Sequence, residues 1–264
     1  MITPTALKLT ADQLHRNSRM NPHIPTWKSR WVIVQVVGDL VLWLAAAFLG
    51  MAIVFAISRT RLGTDPRMWL AQFLQPLITL PILTGVLRWH GETWRSLGLR
   101  KPNDWKRFLR HVTIGMFTML SVAYLIRHLV IAPLHLSSSL RSHYLVGLQH
   151  NVSAVARLII FALFGVGLNE ELQFRGFLQS RLARPFGDRT AGRYFSVVVT
   201  GVVFGLAHVA WGPENIVYAG LLGILLGGIY LWADRNLWVP VILHSLFDVF
   251  RAIQFFLYGN DLPT

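Results

Sequence analysis

Seven apolar stretches, none shorter than 17 residues, dominate this chain and restrict what it can fold into. They run from Trp31 to Ile57, Met68 to Leu87, Phe108 to Leu134, Val152 to Phe177, Tyr194 to Ala210, Ile216 to Trp232 and Trp238 to Leu257. A helix needs about 20 apolar residues to cross the hydrocarbon core of a bilayer, with a range of about 17–25. Composition agrees with that solvent. Only 14% of the residues are charged and 53% are hydrophobic, whereas a soluble domain carries about 25% charged residues. Soluble globular and disordered chains are both excluded. With no cysteine, the chain has no disulfide, no thiol nucleophile and no thiolate metal site. The fold expected is all-α, a polytopic membrane helix bundle of about seven transmembrane helices.

The boundaries of the stretches are soft by several residues. Residues 1–30 are polar and basic, and the first apolar run is too long and too late for a cleavable signal peptide. We read a basic cytoplasmic tail over 1–30 and a single integral-membrane domain over 31–264, without repeats or long polar linkers. Net charge is +13, which on a soluble chain would suggest nucleic acid. Here the cations belong at membrane surfaces, so the expected partner is the lipid bilayer and not nucleic acid.

Orientation follows from Lys and Arg in the short connections. The tail and the second, fourth and sixth connections together hold 18 of them, and the opposite set (Arg59, Arg61, Arg67 and Arg141) holds four. This puts the N-terminus in the cytoplasm and the C-terminus outside, in a multi-pass protein of the cell's inner (plasma) membrane. Trp31, Trp89, Trp94, Trp211, Trp232 and Trp238 fall near the span ends, where an aromatic belt would place them.

An ionisable side chain in hydrocarbon is costly, so each one inside a span is a candidate functional group. Asp39, Arg127 and His128 read as structural, because nothing pairs them with a second reacting group. The fourth span differs. It holds two of the chain's four glutamates side by side, Glu170 and Glu171, with Arg175 one helical turn on. Glu171 and Arg175 can form an i,i+4 ion pair. Glu170 is rotated about 100° from Glu171, so one Arg cannot easily serve both. A desolvated carboxylate left beside a held one can act as a general base on water. His208 ends the fifth span one turn after Phe204, and His244 and Asp248 share a face of the seventh. A carboxylate one turn from a His can accept its ring N–H and fix the tautomer, suiting either a metal ligand or an oxyanion donor.

Counting from the turn at 187–189, Glu170 and His208 both lie about 27–30 Å away, provided the fourth helix continues past Arg175 towards Leu182. His244, about six residues beyond the last inner turn, is expected nearer the cytoplasm. Ala219, Gly223 and Gly227 make a stripe of small residues that permits close helix approach in the sixth span.

At these positions the chain resembles the CPBP family, the intramembrane CAAX proteases and bacteriocin-processing enzymes also called the Abi family. The pattern EExxxR, FxxxH and HxxxN or HxxxD, in order on separate helices, corresponds to Glu170, Glu171 and Arg175, then Phe204 and His208, then His244 and Asp248. Leu97-Gly98-Leu99-Arg100 is a weaker echo, and the resemblance covers about 95–250. It implies an intramembrane active-site cavity and endopeptidase chemistry. Glu170 would be the base for water, and Glu171 would assist, paired with Arg175. His208 and His244 would stabilise the oxyanion or hold the water, and Asp248 would orient His244 or take part in that polar cluster. The substrate implied is a peptide or membrane protein, lipidated or not.

The resemblance favours glutamic catalysis without a cofactor. Zinc is the alternative, held by His208 and His244 with Glu171 or Asp248, although no HExxH is present. Two rival functions use the same bundle. One is a non-catalytic bacteriocin-immunity or membrane regulatory binding protein, which loss of a motif residue would have favoured. The other is a proton-coupled transporter, which paired broken helices in inverted repeats would have favoured.

Overall fold

A computed structural model of the chain describes residues 26–58, 66–136, 149–187 and 189–259. The described residues form helices and no strand. In chain order the helices are α1 (Thr26–Ser58), α2 (Pro66–Trp89), α3 (Trp105–Ile126, prolonged by the π-helical turn Arg127–Ile131), α4 (Val152–Phe186), α5 (Thr190–Leu206), α6 (Pro213–Trp232) and α7 (Trp238–Tyr258). Each coincides with one apolar stretch, so the polytopic all-α bundle stands. Five of them (α1 over Arg30–Ile53, α3 to Ile131, α4, α6 and α7) are long and apolar enough to cross a membrane by themselves. Residues 1–25 of the tail and the loop at 137–148 lie outside the described residues, and 26–30 of the tail already belong to α1.

The side chains explain where the helices start and stop. Asp104 accepts from the Arg107 amide at the start of α3, and Asn151 accepts from the Ala154 amide at the start of α4, the usual way of satisfying an orphan N–H. α6 opens with Pro213 after Gly212. α7 ends where Gly259 takes φ +57°, a conformation in which glycine carries no Cβ penalty. Their outer faces carry Phe48, Phe117, Phe164 and Val198, all exposed, as a surface meeting lipid requires.

α5 and α6 pack most closely. A Cβ on Gly205 would meet the Ile216 carbonyl and the backbone of Gly220, and one on Gly223 would come within 3.0 Å of the Phe204 ring. The anticipated stripe of Ala219, Gly223 and Gly227 therefore operates, and Gly201, Gly205 and Gly220 extend it to both helices.

The turn before α7 is recessed into the protein, with Leu237 fully buried. Residues 94–100 hold it there. Gly98 accepts from the Leu237 amide at 3.0 Å, the Tyr230 hydroxyl donates to the Leu97 carbonyl at 2.7 Å, and Arg100 donates to the Asp234 carbonyl. The Leu97-Gly98-Leu99-Arg100 motif is thus a clamp on the α6–α7 turn. Trp94 departs from the aromatic belt: its indole is half-buried and donates to Thr84 Oγ1 at 2.8 Å.

Candidate active site

The glutamate pair sits on a short α-helical stretch of α4, Asn169–Glu171, between two π-helical segments, Phe161–Leu168 and Leu172–Leu178. Such widened turns recur at functional positions. Helix α7 packs on the first segment, where Gly167 leaves room for the Ser245 side chain. That close approach brings His244 against the glutamates.

Glu171 is completely buried and holds two partners through Oε1. Arg175 Nη1 donates to it at 2.8 Å, and His244 Nδ1 lies 2.7 Å away. The carboxylate can only accept, so Nδ1 carries the proton. Arg175 is itself fully buried, with Nη2 3.2 Å from the Gly223 carbonyl and its guanidinium 4.6 Å from the centre of the Phe204 ring. A buried ion pair is tolerable only when further hydrogen bonds satisfy its remaining groups, and Gly223 and His244 supply two.

Glu170 is placed differently, as the helical rotation anticipates. Arg175 makes no hydrogen bond to it, its side chain is one-quarter exposed, and its buried Oε2 has no hydrogen-bond partner. That oxygen lies 4.0 Å from His244 Nε2, and Asp248 Oδ2 lies 3.6 Å from the same nitrogen. His244 Nε2 therefore faces two carboxylates while Glu171 holds the opposite side of the ring. The orienting acceptor expected from Asp248 is Glu171 instead. Asp248 stands at ion-pair distance, too long for a hydrogen bond.

His208 follows the end of α5. Its Nδ1 lies 2.8 Å from the Phe204 carbonyl, which again puts the proton on Nδ1. Phe204 is the common neighbour of the cluster: its ring lies 4.9 Å from His208, 5.9 Å from His244 and 4.9 Å from Phe174. All seven residues named from the sequence thus converge through α4, α5 and α7.

The height expected for His244 needs correction. Counting residues assumed that every cytoplasmic turn lies at one level. However, a Cβ on Gly176 would come within 3.2 Å of Leu237, so the recessed α6–α7 turn is level with the middle of α4. From that level, about five residues back reach Glu171 and about seven forward reach His244, similar climbs at 1.5 Å per residue. Helix α4 does continue to Phe186, as the height of His208 required.

The two histidines named as zinc ligands each have Nδ1 in a hydrogen bond, and Glu171 is already held by Arg175. Among the described residues no group of three such side chains is arranged to hold a metal ion. Nε2 of each histidine, the ring nitrogen opposite these bonds, is left open.

Two polar clusters escaped the sequence reading. Asn169 donates to Gln75 Oε1 at 2.8 Å, Gln173 donates to Asn169 Oδ1 at 2.9 Å, and Gln75 donates to Thr79 Oγ1 at 3.0 Å. This chain of amides ties α2 to the residue before Glu170. Nearer the α4–α5 turn, buried Arg181 binds Asp39 at 2.7 Å and Glu92 at 2.6 Å, and His90 reaches Asp39 at 2.8 Å. Asp39 is therefore structural, as expected. So are Arg127, which pairs with Glu214 at 3.3 Å, and His128, which stacks on Tyr124. The amides within apolar runs were visible signals, but Gln75 and Asn169 lie 94 residues apart.

Fold and cluster define a class: a membrane-embedded helix bundle with a buried Glu–Arg–His centre. Residues 151–250 match the family model Rce1-like, described as type II CAAX prenyl endopeptidase Rce1-like, so the chain is similar to the CAAX proteases over this region. The match begins at the N-cap of α4 and ends within α7, so it contains every residue of the cluster. No curated protein and no solved structure matches the chain.

Proposed function

We propose that the protein is an intramembrane endopeptidase that cleaves peptides or membrane-associated proteins, CAAX-type substrates among them, through water activated by Glu170. The match of residues 151–250 to a CAAX endopeptidase family model supports peptide-bond hydrolysis. The observation that carries the mechanism is the contrast between two adjacent carboxylates: Glu171 is fully buried and held through Oε1 by Arg175 and His244, whereas Glu170 is one-quarter exposed and stands outside that pair, 4.0 Å from His244 Nε2.

In this reading Glu170 removes a proton from water as the oxygen attacks the scissile carbonyl, then delivers that proton to the leaving amine. The C–N bond breaks, and the products are a carboxylic acid and an amine. His208 and His244 hold the water, which donates to Nε2 while Nδ1 keeps its proton, or, when doubly protonated, stabilise the oxyanion by donating from Nε2. Donors fixed before reaction in a site of low dielectric stabilise developing charge far more than they would in water. Arg175 holds Glu171 in place, Glu171 orients His244, and Phe204 supports both imidazoles. Asp248 adds charge beside His244 Nε2. The mechanism uses this chain's own residues alone. The catalytic core spans about 95–250 within the membrane domain, the N-terminus is cytoplasmic, and residues 94–100 brace the turn that sets the height of His244.

The test is cleavage of a peptide library by purified protein in detergent, compared with Glu170→Gln. The substitution keeps size and hydrogen bonding but removes basicity, so the rate should fall about 10²–10⁴-fold with the melting temperature unchanged. Normal cleavage by Glu170→Gln would reduce Glu170 to a helix-surface residue.

A further inference from the structure

A groove of about 740 Å³ runs along the outside of the bundle between α3, α5 and α6, separate from the glutamate cluster. Its walls include Ile114 of α3, Val197 and Val198 of α5, and Ile224 and Leu225 of α6. The volume falls within the range of about 300–1,000 Å³ that ligand sites occupy. Gly228 lines it, and a Cβ there would meet nothing within 4 Å. That sets Gly228 apart from Gly201, Gly205, Gly223 and Gly227, where a side chain would strike the neighbouring helix. Helix packing does not require glycine at 228, and its bare backbone leaves room in the groove.

The groove is chemically polarised. One end is lined by Arg193, Tyr194 and Trp232, and among the described residues no acidic one contributes to the lining. Arg110, exposed, lies one helical turn before Ile114 on the same face of α3, and exposed Arg189 immediately precedes α5. The Trp232 indole rests edge-on against His111 with ring centres 4.4 Å apart. Amphipathic aromatic rings of this kind belong at headgroup level. From that end the groove follows α5 from Thr190 to Val198 and α6 from Trp232 back to Ile224, about 12 Å at 1.5 Å per residue. One leaflet of the hydrocarbon core is about 15 Å deep.

We propose that this groove is a binding site for an anionic phospholipid, with an acyl chain along Gly228 and the phosphate at the Arg193 end. The basic mouth, aromatic collar and apolar trough of single-leaflet depth match such a lipid in charge, polarity and length. The floor of the trough is α6, whose Gly223 carbonyl holds Arg175, so lipid occupancy bears on the helix that braces the glutamate cluster.

Native mass spectrometry of the detergent-purified full chain tests the proposal by titration with phosphatidylglycerol and, separately, phosphatidylcholine of the same chains. The wild type should retain one phosphatidylglycerol with a preference of about fivefold or more, the advantage expected from a single Arg at the surface of an anionic leaflet. Gly228→Leu should lose that retained lipid, and Arg193→Gln should keep lipid binding but lose the preference. If Gly228→Leu does not fold, Val198→Trp decides, because it obstructs the same trough from an exposed position. Equal retention of the two lipids by the wild type overturns the anionic site. Undiminished phosphatidylglycerol retention by a folded groove-filling variant overturns its location.

Discussion

Removing the guanidinium from Arg175 should uncouple stability from catalysis in a way that only a buried ion pair explains. Arg175→Met keeps most of the aliphatic volume. It leaves Glu171, fully buried, with His244 Nδ1 as its remaining hydrogen-bond partner, and it removes the donor from the Gly223 carbonyl. Breaking a buried pair by deleting one partner costs about 3–5 kcal/mol, while the Gly223 carbonyl, inside α6, keeps its helical hydrogen bond. At these magnitudes the melting temperature in detergent should fall by on the order of 10 °C, with activity lost as His244 loses its fixed acceptor. Adding Glu171→Gln removes the stranded charge while the amide oxygen still accepts from His244. The double variant should therefore recover most of the stability while remaining a poor enzyme, since removal of both charges is often nearly neutral. Thermal unfolding and peptide cleavage of wild type, both single variants and the double variant complete the cycle. A double variant no more stable than Arg175→Met would refute the ion-pair account, as would an Arg175→Met protein that melts like wild type.

Three further outcomes follow from the same structure. A topology reporter fused after Thr264 should read extracytoplasmic and one inserted near Lys101 cytoplasmic, from the excess of basic residues on one side; the reverse would mean that the bundle is inverted. Purified active protein should contain well under one equivalent of zinc by elemental analysis, and strong chelators should leave cleavage intact, whereas zinc lost and restored in step with activity would make His208 and His244 ligands. Gly98→Ala should destabilise by about 1–3 kcal/mol or more, measured by thermal unfolding, because residue 98 sits at φ +108° and a Cβ there collides with the Arg235 carbonyl.

Much of this architecture was legible in one dimension because the membrane makes local sequence decisive. A span must be apolar for about 20 residues, whatever it later packs against, so seven stretches became seven helices. Each charge inside one stood out because hydrocarbon tolerates it only with a partner. Glu171 with Arg175 was readable for the same local reason, an i,i+4 spacing within one helix. The residues of the candidate site were therefore visible in the sequence.

Distances across helices were not. Spacing within α7 suggested Asp248 as the group that orients His244, yet a carboxylate 73 residues earlier in the chain makes the bond. Residue counting put His244 too close to the cytoplasm because it could not see that residues 94–100 draw the α6–α7 turn inward. Asp39 looked like a lone acid until the fold delivered Arg181 and His90 to it, and Gln75 gave no sign that it would meet Asn169. The chain by itself determined which segments enter the membrane and which of their residues are too polar to be there without cause. Only tertiary structure decided how those residues pair, because helix packing, turn depth and the close approaches allowed at Gly167 and Gly223 depend on contacts between segments far apart in sequence.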